Sequence, residues 1–177
     1  MALQTLVLGG GCFWCTEAVF DRVRGVKDVE SGYCNGPVLR PTYEQVCGGD
    51  TGHAEVVKLV YEDTEVSTAQ LLEVFFVTHD PTTLNRQGHD VGTQYRSGIY
   101  FTTPEQAAQA RALIAELTQD GAYPRPIVTE VCPLENYHPA EAYHQDFFER
   151  NPQQGYCLAV AAPKVAKFRQ TFARLAR

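Results

Sequence analysis

A two-layer α/β sandwich, of the α+β kind with flanking helices, is the fold class this sequence predicts. Three observations predict it. Short strand-like apolar runs alternate with amphipathic helical stretches; the chain shows no internal repeat, low-complexity run or linker; and 177 residues at 44% hydrophobic content suffice for one sizeable core rather than two. A single domain over residues 1–177 is therefore expected.

The elements follow in order. Leu3 to Leu8 reads as a short buried strand, and Gly9, Gly10 and Gly11 let the backbone turn sharply before Cys12. Phe13, Ala18, Val19, Phe20 and Val23 recur at spacings that share one helix face, and Thr16 and Glu17 suit the first turns of a helix. Val26 to Tyr33 alternates as a strand, and Ala54 to Tyr61 does so more clearly, being dense in Val56, Val57, Leu59 and Val60. Between them, residues 34–52 are rich in Gly, Pro and Thr and read as one long loop, a feature that in compact domains is usually functional or disordered.

Thr68 to Thr78, carrying Leu71, Leu72, Val74, Phe75 and Phe76, reads as a helix and leads into a polar, glycine-containing segment, 80–92. Tyr95 to Phe101 reads as a strand. Pro104 then opens the clearest amphipathic helix, Glu105 to Thr118, with Ala107, Ala110, Leu113, Ile114 and Leu117 on one face. Ile127 to Val131 is expected as a strand bounded by prolines, 140–149 as a short helix, and 164–175 as a last one.

Composition removes several classes of function. The net charge is −6 and the 15 Lys and Arg are scattered apart from a mild C-terminal cluster, which argues against a nucleic-acid partner. No apolar run reaches membrane-spanning length and no basic stretch precedes a long apolar one, so a soluble, cytoplasmic protein and no membrane partner are expected. Six cysteines would allow three disulfides. Nothing else looks secreted, however, and cytosolic disulfides are usually transient and catalytic, so mostly free thiols are expected at rest.

Cys12 carries the chemistry. A cysteine after a strand and a glycine turn, at a helix N-terminus, sits where unpaired N–H groups and the helix dipole favour an anion, and it is expected to be more thiolate than its neighbours. Cys15, three residues on, has the spacing of dithiol redox motifs; packing as a small hydrophobe is the plainer alternative for both. Cys12-Phe-Trp-Cys15 is also half of a structural zinc pattern, but no second close pair follows and Cys34, Cys47, Cys132 and Cys157 are dispersed. A general thiol-disulfide oxidoreductase running on Cys12 and Cys15, and a redox-sensing or metal-binding module, remain the competing classes.

Four blocks resolve the competition. Gly10 to Glu17 (GGCFWCTE), Tyr43 to Glu55 (YEQVCGGDTGHAE), Asn85 to Ser97 (NRQGHDVGTQYRS) and Pro139 to Gln145 (PAEAYHQ) resemble, in order, the A-type peptide methionine sulfoxide reductases. The resemblance runs from about Leu6 to Cys157 and implies a two-layer sandwich with a mixed sheet. It also implies reduction of methionine-S-sulfoxide, free or in protein, with no metal or organic cofactor. Carried over by motif, Cys12 is the nucleophile, Phe13 and Trp14 form the pocket for the substrate methyl, Glu55 is the acid, and Tyr43, Asp90 and Tyr95 hold the sulfoxide oxygen and its water.

The residue types suit that chemistry independently of the family. Sulfoxide sulfur is a poor electrophile until its oxygen is protonated or strongly hydrogen-bonded, so thiol and proton donor must sit together, and a carboxyl in an apolar pocket can stay neutral near pH 7. Oxygen would remain on Cys12 as a sulfenic acid, condense with a second thiol, and be recycled by thioredoxin or a similar dithiol. Cys157, near Gly155 on an expected mobile segment 151–163, and Cys15, where many members have glycine, are both candidates for the resolving thiol. Cys34, Cys47 and Cys132 are left without a role, His53, His79 and His144 are expected to fix local hydrogen bonds, and a monomer is expected.

Overall fold

The computed structural model describes residues 3–49, 51–151 and 153–176. Its strands are β1 (Leu3–Gly10), β2 (Val26–Cys34), β3 (Ala54–Glu62), β6 (Ser97–Phe101), β7 (Glu130–Pro133) and β8 (His138–Pro139), joined in one sheet of order β7-β6-β1-β3-β2-β8. All neighbours are antiparallel except β6 and β7, so the sheet is mixed. A separate ribbon pairs β4 (Arg86–Gln87) with β5 (Asp90–Val91).

Strand alternation divides the apolar residues between two faces. Leu6, Leu8, Val57, Leu59, Tyr61 and Ile99 belong to the larger core, which α1 (Phe13–Phe20), α3 (Thr68–Thr78), α4 (Pro104–Gln119) and α6 (Ala162–Thr171) cover. Val7, Val56, Tyr100, Cys34 and Ala54 occupy the other face, beneath Leu134 and Tyr137 of the strap that crosses from β7 to β8. Helices on one side and a strap on the other make the two-layer arrangement that the alternating pattern predicts.

Five expectations need correction in their details; the strand expected from Tyr95 starts at Ser97, Tyr95 itself lying in a 3-10 turn. The long loop contains a short helix, α2 (Tyr43–Cys47), started by a capping box in which Thr42 and Gln45 satisfy each other's backbone N–H. The strand expected at Ile127 to Val131 starts only at Glu130, because the Val128 N–H is used by the Pro81 carbonyl at 2.8 Å instead of a sheet neighbour. The helix expected over 140–149 is two pieces, a 3-10 turn Ala142–His144 and α5 (Phe147–Arg150), broken where Asp146 takes a left-handed φ of 54°. The last helical stretch begins earlier than 164, with a π-helical turn Cys157–Ala161 that runs into α6.

The segment carrying Cys157 is fixed on both sides. Upstream, Arg150 Nη2 donates to the carbonyls of Ala142, Tyr143 and Gln145, and Glu149 of α5 pairs with Arg22. Downstream, Val165 and Phe168 of α6 enter the core, and the end of the chain is held by a bridge from Ala176 to Val23 and by Arg24 N–H to the Leu175 carbonyl at 2.7 Å. Of the segment expected to be mobile, Pro152 lies outside the described residues. Among the described residues, no helix is long and apolar enough to cross a membrane.

Candidate active site

The glycine turn delivers Cys12 to the residue just before α1. Gly11 has φ 96°, and a Cβ there would lie 2.7 Å from Gln87 Cγ, so both conformation and close approach require glycine. Cys12 accepts the first helical bond, from Cys15 N–H at 3.1 Å, but its side chain caps nothing. The helix-start argument for a thiolate fails here. Burial pushes the Cys12 thiol well above its ordinary range, the Glu55 carboxyl and Cys15 add to the shift, and the Trp14 N–H opposes it only in part. With 8% of its surface exposed, Cys12 rests as a thiol.

The donor that would have served a thiolate serves Glu55. Glu55, on β3, is 1% exposed, and its Oε1 accepts the free N–H of Phe13 at 3.3 Å, while Oε2 has no partner among the described residues. Burial raises this carboxyl to about 8, the charge of Asp90 adds to the effect, and the Phe13 N–H lowers it. Glu55 is therefore mostly neutral at pH 7 and carries a proton beside Cys12.

Tyr43, Asp90 and Tyr95 come from three further elements. The capping box sets Tyr43 at the start of α2, where its N–H donates to Glu141 Oε2 at 2.9 Å and its ring lies 6.4 Å from that of Phe13. The ribbon places Asp90 so that its charge reaches both Cys12 and Glu55. Tyr95 sits in the 3-10 turn Thr93–Tyr95. Burial is the main cause holding both phenols above their ordinary range, and Glu55 and Cys12 act on both. The two are neutral O–H donors. Charge on Cys12 or Glu55 is thus felt by both tyrosines, and charge on Asp90 by Cys12, Glu55 and Tyr95, although the five residues span 84 positions of chain from Cys12 to Tyr95, counted inclusively.

Phe13 and Trp14 differ. Phe13 is fully buried, with its ring 5.6 Å from Tyr33 and 5.0 Å from His144. Trp14 stacks on Phe147 at 3.8 Å and 6°, and its indole N–H donates to His144 Nδ1 at 3.0 Å. All six cysteines are free thiols, and the Cys157 side chain is buried in the π-turn. A negative charge on Cys15 acts on Cys12, and one on Cys157 acts on Cys15. Cys47 is exposed on α2, while Cys34 and Cys132 belong to the opposite face of the sheet.

Sequence reasoning missed several contributors. Glu141 holds Tyr43 N–H and accepts from Tyr33 O–H at 2.8 Å, and its place in the fourth motif block was the signal available; His144, in the same block, fixes Trp14 by a hydrogen bond of the kind expected of it. Glu17 lies in the first motif block, whereas Phe147 and Tyr156 lie outside all four. Glu17 is 2% exposed, accepts from Ser31 Oγ at 3.2 Å, and is raised by burial to about 7. The histidines act as local fasteners: His79 joins the Phe75 carbonyl to Ser97 Oγ, and His53 meets the Val38 carbonyl at 2.6 Å. Among the described residues, no three His, Cys, Asp or Glu side chains are placed to hold a metal ion.

Known proteins resemble this chain in sequence and fold. The family model described as peptide methionine sulfoxide reductase matches residues 4–176. The peptide methionine sulfoxide reductase MsrA of Ralstonia nicotianae is 53% identical over 176 residues, covering 97% of this chain and 92% of its own. That of Deinococcus radiodurans is 52% identical, covering 97% and 83%. Mxr1 from Saccharomyces cerevisiae in reduced form superposes with a TM-score of 0.79 at 35% identity, over 88% of this chain and 89% of that one. Mxr1 has also been solved in complex with Trx2; there the likeness, 23% identity and a TM-score of 0.56 over 82% and 84% of the chains, concerns the fold. A full-length family match, relatives above half identity and the shared fold place this chain among the peptide methionine sulfoxide reductases of the A type, a family of oxidoreductases.

Proposed function

We propose that this chain reduces methionine-S-sulfoxide, free or in oxidised proteins, to methionine, with Cys12 as nucleophile, Glu55 as proton donor, and Tyr43, Asp90 and Tyr95 holding the sulfoxide oxygen and its water. Phe13 and Trp14 supply the apolar wall for the methyl group. One observation carries the reading: a carboxyl kept neutral by burial shares the start of α1 with the buried Cys12 thiol.

The chemistry follows from that pairing. A hydrogen bond from neutral Glu55 draws electron density from the S–O bond and makes sulfur electrophilic. An ionised Glu55 would oppose thiolate formation at Cys12, whereas the neutral form removes that repulsion as Cys12 loses its proton to attack. Oxygen takes the Glu55 proton and bonds to the Cys12 sulfur as its bond to the substrate sulfur breaks, methionine leaves with that bond's electron pair, and the proton given up by Cys12 restores neutral Glu55, leaving Cys12 as a sulfenic acid. A second thiol then attacks the sulfenic sulfur and water departs. An external dithiol of the thioredoxin kind reduces the disulfide, a role for which the Mxr1–Trx2 complex offers a precedent in a relative. Free thiols of this sort persist in a reducing compartment, which favours the cytoplasm, and one monomeric domain suffices for the cycle.

We take Cys15, three residues from Cys12, as the first resolver and Cys157, whose chain neighbour Tyr156 accepts a hydrogen bond from Cys15 Sγ, as the next. Oxygen transfer precedes either disulfide. Cys157→Ser should therefore release about one methionine per enzyme without reductant and then stop as a Cys12–Cys15 disulfide, visible by peptide mass mapping. A variant that releases none assigns Cys157 to the first step and defeats this order.

The function itself is tested by supplying each separated sulfoxide epimer with dithiothreitol and measuring methionine. Consumption of the S epimer alone is expected. Consumption of neither by folded, reduced protein defeats the reading.

A further inference from the structure

Tyr156 belongs to the segment that joins α5 to the π-turn at Cys157, yet its hydroxyl lies inside the site. It donates to Asp90 Oδ2 at 2.5 Å and accepts from Cys15 Sγ at 3.6 Å. Its ring meets Trp14 edge-on, at 5.9 Å and 78°. Phe147, from α5, stacks on the same indole at 3.8 Å. Both surfaces assigned above to the substrate, the Trp14 face and the Asp90 carboxylate, are thus occupied by side chains of one segment, and Cys12 beneath them is 8% exposed.

Resting on that reading of the site, we infer that Tyr156 is a latch that sets the affinity of the site, by competing for Asp90 with the water that bridges to the sulfoxide oxygen. The phenol and that water offer Asp90 the same thing, an O–H donor. A water can leave one hydrogen on Asp90 and give the other to the sulfoxide oxygen, a strong acceptor. Methionine presents only a thioether, a weak acceptor, and cannot hold that water in place. Once oxygen has moved to Cys12 the balance returns to Tyr156. The latch closes, and with it the chain neighbour Cys157 comes back beside the cysteine pair. Substrate binds only the fraction of molecules with the latch released, so apparent affinity is lower than the open site's own by that fraction.

Tyr156→Phe keeps the ring and removes the hydroxyl. For free methionine sulfoxide with dithiothreitol, KM should fall about tenfold and kcat/KM should rise, the low end for losing a competing hydrogen bond to a charged group. Inhibition by methionine should strengthen by a similar factor. Trp14 is the only tryptophan, so its quenching by acrylamide should increase in the variant as the segment loosens. A merely structural role would raise KM or lower kcat/KM. An unchanged or raised KM in a folded variant therefore overturns the latch, while a parent enzyme that reduces no sulfoxide overturns the function on which it rests. The parent gives a second reading independent of the variant's folding: methionine should inhibit only about tenfold above the sulfoxide KM or higher. Equal affinity for product and substrate overturns the proposal.

Discussion

Cys12→Ser is expected to leave no measurable turnover of either epimer, under any reductant. A serine hydroxyl ionises far less readily than a thiol and has no sulfur to keep the oxygen as a sulfenic acid, so both the attack and the product of the attack are lost. The exchange of sulfur for oxygen at an 8% exposed site costs roughly 1–3 kcal/mol of stability, a drop of several degrees in Tm that leaves the protein folded at assay temperature. Residual activity equal to that of Cys15→Ser would move the nucleophile off Cys12. Methionine formation in single-turnover assays, together with circular dichroism of the variant, decides the matter.

Glu55→Gln should lower kcat/KM by roughly 100- to 10,000-fold, the range for a positioned proton donor. Glutamine fills the same volume and can still bond the Phe13 N–H through its carbonyl oxygen, but it has no proton to transfer. The parent's pH profile carries the complementary test. The carboxyl is raised from 4.5 to about 8, so the neutral, donating form dominates below that value and is lost as pH rises through it. The kcat/KM of the parent should fall above about pH 8, and Glu55→Gln should lack that descending arm. The same sign governs stability: ionising this carboxyl in place costs about 5 kcal/mol more than in water, and the fold loses that contribution as pH climbs from the unfolded carboxyl's range to about 8. Full sulfoxide turnover by Glu55→Gln would take the proton-donor role away from Glu55.

Much of this was legible from the chain. Strands β1, β2, β3 and β6 and helices α3 and α4 follow directly from alternation and from apolar spacing, because each buries one continuous face. What could not be read depends on partners distant in sequence. Val128 carries a strand-like side chain, but its N–H is claimed by Pro81, and so β7 begins later. Asp146 adopts a left-handed turn that breaks an otherwise helical run. α2 could have been found: Thr42 and Gln45 have the spacing of a capping box, outweighed by the surrounding glycines and prolines. The ionisation of Cys12 shows the limit most clearly. Position at a helix start favours an anion by a modest amount, whereas burial disfavours it by more, and any charge on Glu55 adds to that; neither is visible in the linear motif. Glu55 is the converse case, since the donor next to Cys12 was legible and its recipient was not.

The anchoring of α5 and α6 on either side of Cys157 changes what kind of reactant that thiol is. A cysteine on a free tail samples a large volume, and the time it needs to find its target grows with tail length. Here the intervening segment has both ends pinned, one by Arg150 and Glu149, the other by Val165, Phe168 and the Ala176 bridge to Val23. A short loop of this type confines its thiol to a small shell around the site, at an effective concentration on the order of millimolar or more. Disulfide formation then becomes a first-order property of each molecule, indifferent to how dilute the enzyme is. A small thiol from solution must compete with that local concentration to reach the oxidised cysteine first.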